Sequence, residues 1–246
     1  MAIRSLVTRG RSVGSGDRSP DQRVRALVVD DGSQTRDTFQ VAYPLVDVVG
    51  TYATVEELLA ESAEAELVVL DLMLSTRLDA ARQLQGPLAI EVLVGEGYRV
   101  CLYTDERRPL VLAKCLSAGA TGLVRKSDPL EVNQAAFLRV ASGHVVISNT
   151  MEDLAELMNR RGTLPDLTER QTQVLRGRAR GEPWKLIARR LGITAKTGHD
   201  RMEAVMAKMV LHLQAARLGV DYSPADVERA LGLAPGDLFD IVAEDG

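Results

Sequence analysis

Four short runs of valine and leucine, each closing on a polar residue, constrain this chain more than any other feature. They are VRALVVDD (24–31), LVVLD (67–71), YRVCLYT (98–104) and GLVRK (122–126), and a further run, VDVVGTY (46–52), lies between the first two. Each is too short to cross a membrane and suits a strand buried on both faces. Helical patterns fill the gaps. Ser33 can cap a helix running to Tyr43, where Pro44 stops it. Thr54 caps VEELLAES, whose acids sit in the first turn. A polar stretch follows the third strand, and the most regular part of the next helix is LAIEVLVGEG (88–97). Pro109 to Ser117 reads as a helix stopped by Gly119, and Asp128-Pro129 opens another that reaches about Ala141. The alternation predicts an α/β fold with a doubly wound, five-stranded parallel sheet.

Parallel strands end at one edge, and ligands bind there at the switch point of strand order. Asp30 and Asp31 end the first strand, Asp71 the third, Thr104 the fourth and Lys126 the fifth. In the order 2-1-3-4-5 the first and third strands are neighbours, so three carboxylates crowd together. Their repulsion calls for a cation, and an all-oxygen ligand set suits Mg²⁺. Thr104 adds a hydroxyl donor and Lys126 a positive charge. Such a set can stabilise a phosphoryl group transferred to Asp71 as nucleophile. On its own, Asp71 reads equally well as a turn cap or a solvent-facing carboxylate; the other strand ends favour the site.

The second half has a different character. Residues 143–166 read as a linker containing a helix, MEDLAELMNRR, broken by GTLPD. From 161 to 217 there are 12 Lys or Arg against 5 Asp or Glu, a balance of +7 that leaves −11 for the rest of a chain whose net charge is −4. A basic segment in an acidic protein hints at nucleic acid. In LTERQTQVLRGRARG, Thr168 and Gln171 form a capping box. Pro183 opens a second helix, WKLIARRLG, Gly192 gives a tight turn, and Thr194 caps a third helix from Ala195 to at least Met209. That is an all-α helix-turn-helix pattern over 167–217. Residues 218–246 hold seven acids and one arginine. This acidic extension predicts two short helices, begun at Ser223-Pro224 and at Pro235. They either stand solvated or dock on the basic domain. Aromatic residues make up only 4% of the chain, which argues against a stacking platform for single strands. Residues 1–22 have no signal-peptide core and read as a disordered arm, with an organellar transit peptide as the alternative. Cys101 and Cys115 lack zinc spacing and read as buried, reduced thiols of a cytoplasmic protein with no membrane partner.

Residues 23–142 resemble the receiver domain of response regulators through VVDD, VVLDLM, Thr104 and GATGLVRK. The resemblance implies Asp71 as phospho-acceptor, Asp30, Asp31 and Asp71 around Mg²⁺, Thr104 as the hydroxyl that senses the phosphoryl group, and Lys126 as its counter-ion. LTERQTQVL, KLIARRLGIT and AKTGHDRMEAVMAKM resemble the LuxR-type helix-turn-helix of the NarL/FixJ class. By that match residues 195–209 are the recognition helix, and Lys196, Thr197, His199 and Arg201 face DNA. Thr194, at its cap, is grouped with them. Lys185 and Arg189 reach phosphates from the preceding helix. The implied partners are a sensor histidine kinase, double-stranded DNA and a second copy of the chain.

Some positions depart from the family pattern. Ser75 replaces a proline, Asp105 a small residue and Leu123 an aromatic one. Gly198 replaces a β-branched residue, and Asp200 and Glu203 put negative charge near the DNA-facing helix. A second expectation therefore stands beside the first: a receiver-type regulator that works through protein contacts without phosphorylation. An enzymatic role is not expected. VVDDGS superficially resembles a haloacid dehalogenase motif, but that class spaces its two aspartates by two residues, and Asp30 and Asp31 are adjacent.

Overall fold

The computed structural model describes residues 23–61, 63–72, 84–164 and 166–243. The arm expected over 1–22 and the Ser75 position lie outside these. The α/β half runs β1 (Val24–Val29), α1 (Ser33–Ala42), β2 (Val46–Tyr52), α2 (Val55–Glu61), β3 (Leu67–Leu70), α3 (Gly86–Gly95), β4 (Arg99–Thr104), α4 (Pro109–Ser117), β5 (Gly122–Arg125), α5 (Leu130–Ala141) and β6 (Val146–Ile147). The sheet is parallel throughout, in the order β2-β1-β3-β4-β5-β6. It therefore has six strands where five were expected. The sixth is two residues of HVVIS, tied to β5 when Val146 N–H donates to Thr121 O (3.0 Å) and Ser148 N–H to Leu123 O (2.8 Å). A run that short leaves no periodicity to read.

β3 is buried at all four positions, as its unbroken apolar sequence requires. β1 pairs with it in register, Val29 opposite Leu70. Asp30 and Asp71 therefore stand one residue beyond the same rung. One correction concerns α1. Its cap is Gly32, with no side-chain cap, and Ser33 is the first helical residue.

The two faces of the sheet are covered differently. On one, α1 and α5 enclose Phe39, Tyr43, Tyr103 and Phe137, with ring centroids 4.6–6.1 Å apart. On the other, the core beneath α2, α3 and α4 continues without a break into the helical half. That half comprises α6 (Glu152–Arg160), α7 (Glu169–Ala179), α8 (Trp184–Leu191), α9 (Ala195–Ala216), α10 (Pro224–Ala230) and α11 (Asp237–Ala243). Leu112 and Leu116 of α4 share this core with Met206, Met209, Val210 and Leu213 of α9. The buried positions of α9 (Met202, Val205, Met206, Met209, Val210, Leu213) recur at helical spacing, so 22 residues form one helix with one buried stripe.

The capping box of Thr168 and Gln171 is present. Gly192 closes α8 in the left-handed conformation at φ 63°, which lets the chain turn sharply into α9. Both tail helices form, and α11 packs against α4 and α6.

Candidate functional site: an acidic strand edge and a helix-turn-helix face

Asp30, Asp31 and Asp71 meet at the ends of β1 and β3. Each offers a carboxylate oxygen, and the three oxygens lie within 4.8 Å of one another. Asp30 and Asp71 are buried, while Asp31 is exposed. Backbone pairing sets the first two: Asp30 N–H donates to Tyr52 O (3.1 Å) and Asp71 N–H to Val29 O (2.8 Å). Asp30 is held further by Gly32 N–H, which donates to its Oδ1 (2.8 Å). A Cβ on Gly32 would stand 2.9 Å from that oxygen, so the glycine allows the close approach.

Lys126 reaches in from the end of β5. Its ammonium donates to Asp30 Oδ2 at 2.8 Å and Asp71 Oδ2 at 3.0 Å. Burial pulls its pKa down, but the hydrogen bonds and charges of the two aspartates outweigh this, and the net shift is upward. Three clustered carboxylates with water access through Asp31 are a donor set that fits a hard divalent cation such as Mg²⁺.

Thr104, buried at the end of β4, accepts a hydrogen bond at its hydroxyl from Glu106 N–H (3.1 Å). The Glu106 carboxylate in turn accepts from the N–H groups of Arg107 (2.9 Å) and Arg108 (2.8 Å), at the entry to α4. The strand end is thus wired to the first turn of α4. Asp105 is exposed beside it. Leu123 is buried in β5, and an aromatic ring sits instead on β4: Tyr103, whose ring centroid is 5.6 Å from Lys126 Nζ and whose hydroxyl lies 3.1 Å from that of Tyr43.

The residues expected at DNA fall on α8 and the first turns of α9. Lys185, Arg189, Thr194, Lys196 and His199 are exposed, and Thr197 and Arg201 are half-buried. Several already have local partners. Thr194 caps α9 by accepting from Thr197 N–H (3.0 Å), Lys196 pairs with Asp200 (3.1 Å), and His199 Nδ1 lies 2.8 Å from Ala195 O. Among the described residues Arg201 Nη1 is buried without a hydrogen-bond partner.

Gly198 has a physical reason. It is buried against Trp184, and a Cβ there would come within 3.3 Å of the indole. The indole stacks on His199 at 4.0 Å and lies under Arg178, 4.8 Å from its guanidinium carbon. The core contact that a β-branched residue would make is supplied by the tryptophan. Glu203, which looked like an intruder on the DNA-facing helix, pairs with Arg139 of α5.

The contacts between the halves were not legible beforehand. Ser117 at the end of α4 donates to Leu213 O (2.7 Å) and accepts from Leu218 N–H (2.8 Å). Lys114 donates to Val220 O (2.8 Å) and Tyr222 O (2.6 Å). A serine and a lysine on an ordinary amphipathic helix carry no signal of such partners.

Residues 165–216 match the family model described as bacterial regulatory proteins, luxR family. The nitrate/nitrite response regulator protein NarL of Escherichia coli K12 is 29% identical over 181 residues, which cover 68% of this chain and 79% of NarL. The probable transcriptional regulatory protein SgaR of Hyphomicrobium methylovorum is 28% identical over 208 residues, 82% of this chain and 93% of SgaR. The transcriptional activator protein ExaE of Pseudomonas putida is 27% identical over 131 residues, 50% of this chain and 61% of ExaE, so the chain spans under two thirds of that relative. Among the described residues no helix is long and apolar enough to cross a membrane.

Proposed function

Because the chain is a response regulator of the NarL/FixJ type, we propose that it takes a phosphoryl group on Asp71 and controls transcription through the helix-turn-helix of α7, α8 and α9. The observation that carries the reading is the cluster of three carboxylates within 4.8 Å, with Lys126 bridging two of them. A carboxylate oxygen of Asp71 attacks phosphorus, and the bond to the donor, a phosphohistidine of a sensor kinase, breaks as the imidazole leaves. Asp30, Asp31 and Asp71 would hold Mg²⁺, which when bound neutralises the phosphoryl oxygens. Lys126 leaves its carboxylate partners to pair with the new dianion, which adds about two negative charges. Thr104 turns its hydroxyl toward the phosphoryl group. Since that hydroxyl now holds Glu106 N–H, its departure disturbs the entry to α4 and so the α4 contact with α9. Asp105, exposed at this entrance, repels anionic donors and narrows which of them are accepted.

On the DNA side, Lys196, Thr197, His199 and Arg201 read the major groove, and Lys185, Arg189 and Thr194 contact the backbone. Two copies on two half-sites give the two-fold arrangement that such motifs use. Asp200 and Glu203 give up Lys196 and Arg139 when DNA is engaged.

One observation favours a second reading. The face of α4 that would carry the signal is buried in a core shared with α9 and the tail. That supports a regulator in which the α/β half is a fixed scaffold, indifferent to phosphate. Light scattering with Mg²⁺ and beryllium fluoride separates the two. A change of mass that Asp71→Asn abolishes supports the switch; no binding and no change supports the scaffold.

A further inference from the structure

A cavity of about 680 Å³ opens where α6, α7 and α11 meet, away from both sites described above. Four arginines line it, Arg160 and Arg161 from the end of α6 and Arg176 and Arg180 from α7. Glu156, Asp237 and Asp153 also line it, three acids against four bases. The volume lies within the roughly 300–1,000 Å³ of small-molecule sites, but the lining is far more charged than such sites usually are.

The arginines are not equally committed. Arg161 grips Asp237 with two hydrogen bonds of 2.8 and 2.5 Å, and so pins α11 to α6. Arg180 is paired with Glu182. Arg160 and Arg176 approach one oxygen of Glu156 at 3.9 and 3.6 Å, beyond hydrogen-bonding distance. Among the described residues neither guanidinium makes a hydrogen bond. Glu156 sits poorly even so: burial raises its pKa although three arginines surround it. Two guanidiniums with ten N–H donors between them thus share one reluctant carboxylate. Planar guanidinium forks match the oxygens of phosphate groups, and two of them on neighbouring helices can grip oxygens of more than one phosphate.

We propose that this cavity binds a small anion carrying two or more linked phosphate groups, with Arg160 and Arg176 as its principal ligands. Such an anion would also compete with Asp237 for Arg161. Occupancy then loosens α11, which packs on α4, so ligand binding and the docking of the two halves are linked. The inference is independent of phosphorylation at Asp71.

Isothermal titration of the full-length protein in EDTA tests it, because chelation silences the carboxylate cluster. The probes are pyrophosphate, ATP, inorganic phosphate and citrate. Pyrophosphate or ATP should bind, and the double substitution Arg160→Gln, Arg176→Gln should weaken binding tenfold or more with an unchanged circular dichroism spectrum. Glu156→Gln, which removes the competing carboxylate, should tighten binding severalfold. Lys185→Ala with Arg189→Ala should leave it unchanged. ATP well above pyrophosphate would identify a nucleotide, and equal affinity a bare polyphosphate group. No binding of either probe, citrate binding as tightly, or equal loss in the Lys185 and Arg189 variant would overturn the proposal. So would a Glu156→Gln protein no tighter than the parent.

Discussion

Replacing Lys126 by methionine removes the charge that holds the acidic cluster together. Two unit charges no more than 4.8 Å apart repel by at least about 3.5 kcal/mol at an effective dielectric constant of ~20. Asp30 and Asp71 are both buried, so most of that energy applies to their pair; Asp31 is exposed, and water screens its share. The Lys126 side chain is itself 24% exposed, so some of its stabilising effect is already lost to solvent. Breaking a buried pair by removing one partner costs about 3–5 kcal/mol, and the partial exposure brings the expected loss to about 2–4 kcal/mol. The loss should appear in EDTA and largely vanish in saturating Mg²⁺, because the cation takes over the role of the ammonium. Adding Asp71→Asn should restore much of the stability in EDTA by removing one carboxylate. Urea denaturation followed by circular dichroism measures all four combinations. An equal loss in EDTA and in Mg²⁺, with no relief from Asp71→Asn, would refute the electrostatic account and leave only lost packing of the lysine stem.

Gly198→Val should cost about 1–2 kcal/mol: the helix gains a few tenths in propensity, but overpacking against Trp184 costs about 1–3 kcal/mol. Trp184 is the only tryptophan, so its fluorescence reports the disturbance directly, and a valine variant as stable as the parent would count against the contact. Burial raises the pKa of Glu152, with Arg178 pulling the other way. The folded state therefore holds that proton more tightly than the unfolded state, and its contribution to stability falls as pH rises from about 4.3 through the raised folded value. Glu152→Gln should remove this decline, seen as a flatter difference in unfolding free energy between acid and neutral pH; an unchanged slope would contradict it.

The parts of the fold legible in the sequence are those set by local pattern. Unbroken apolar runs gave the strands, and because parallel strands end together, they also gave the meeting of Asp30, Asp31, Asp71 and Lys126. Capping chemistry gave the starts of α7, α9 and α10 at Thr168, Thr194 and Ser223. What was missed depends on distant partners or on very few residues. β6 is two residues long, and its identity rests on the exposed edge of β5. Gly198 looked like a defect until Trp184, fourteen positions earlier, was seen to fill its place. The roles of Ser117, Lys114 and Arg139 belong to an interface whose other side lies from 64 to 108 residues away. No local rule reaches that far.

The unbroken length of α9 has a mechanical consequence. Its first turns carry the residues proposed above to meet DNA, and its last turns lie against α4 near Leu213. Eighteen residues separate Ala195 from Leu213, a span of about 27 Å at 1.5 Å per residue. A tilt of only about 5° at the α4 end would swing the Ala195 end by roughly 2 Å over such a span. Under the proposed function the helix would act as a lever, carrying a small displacement at α4 to the far end where DNA is proposed to bind.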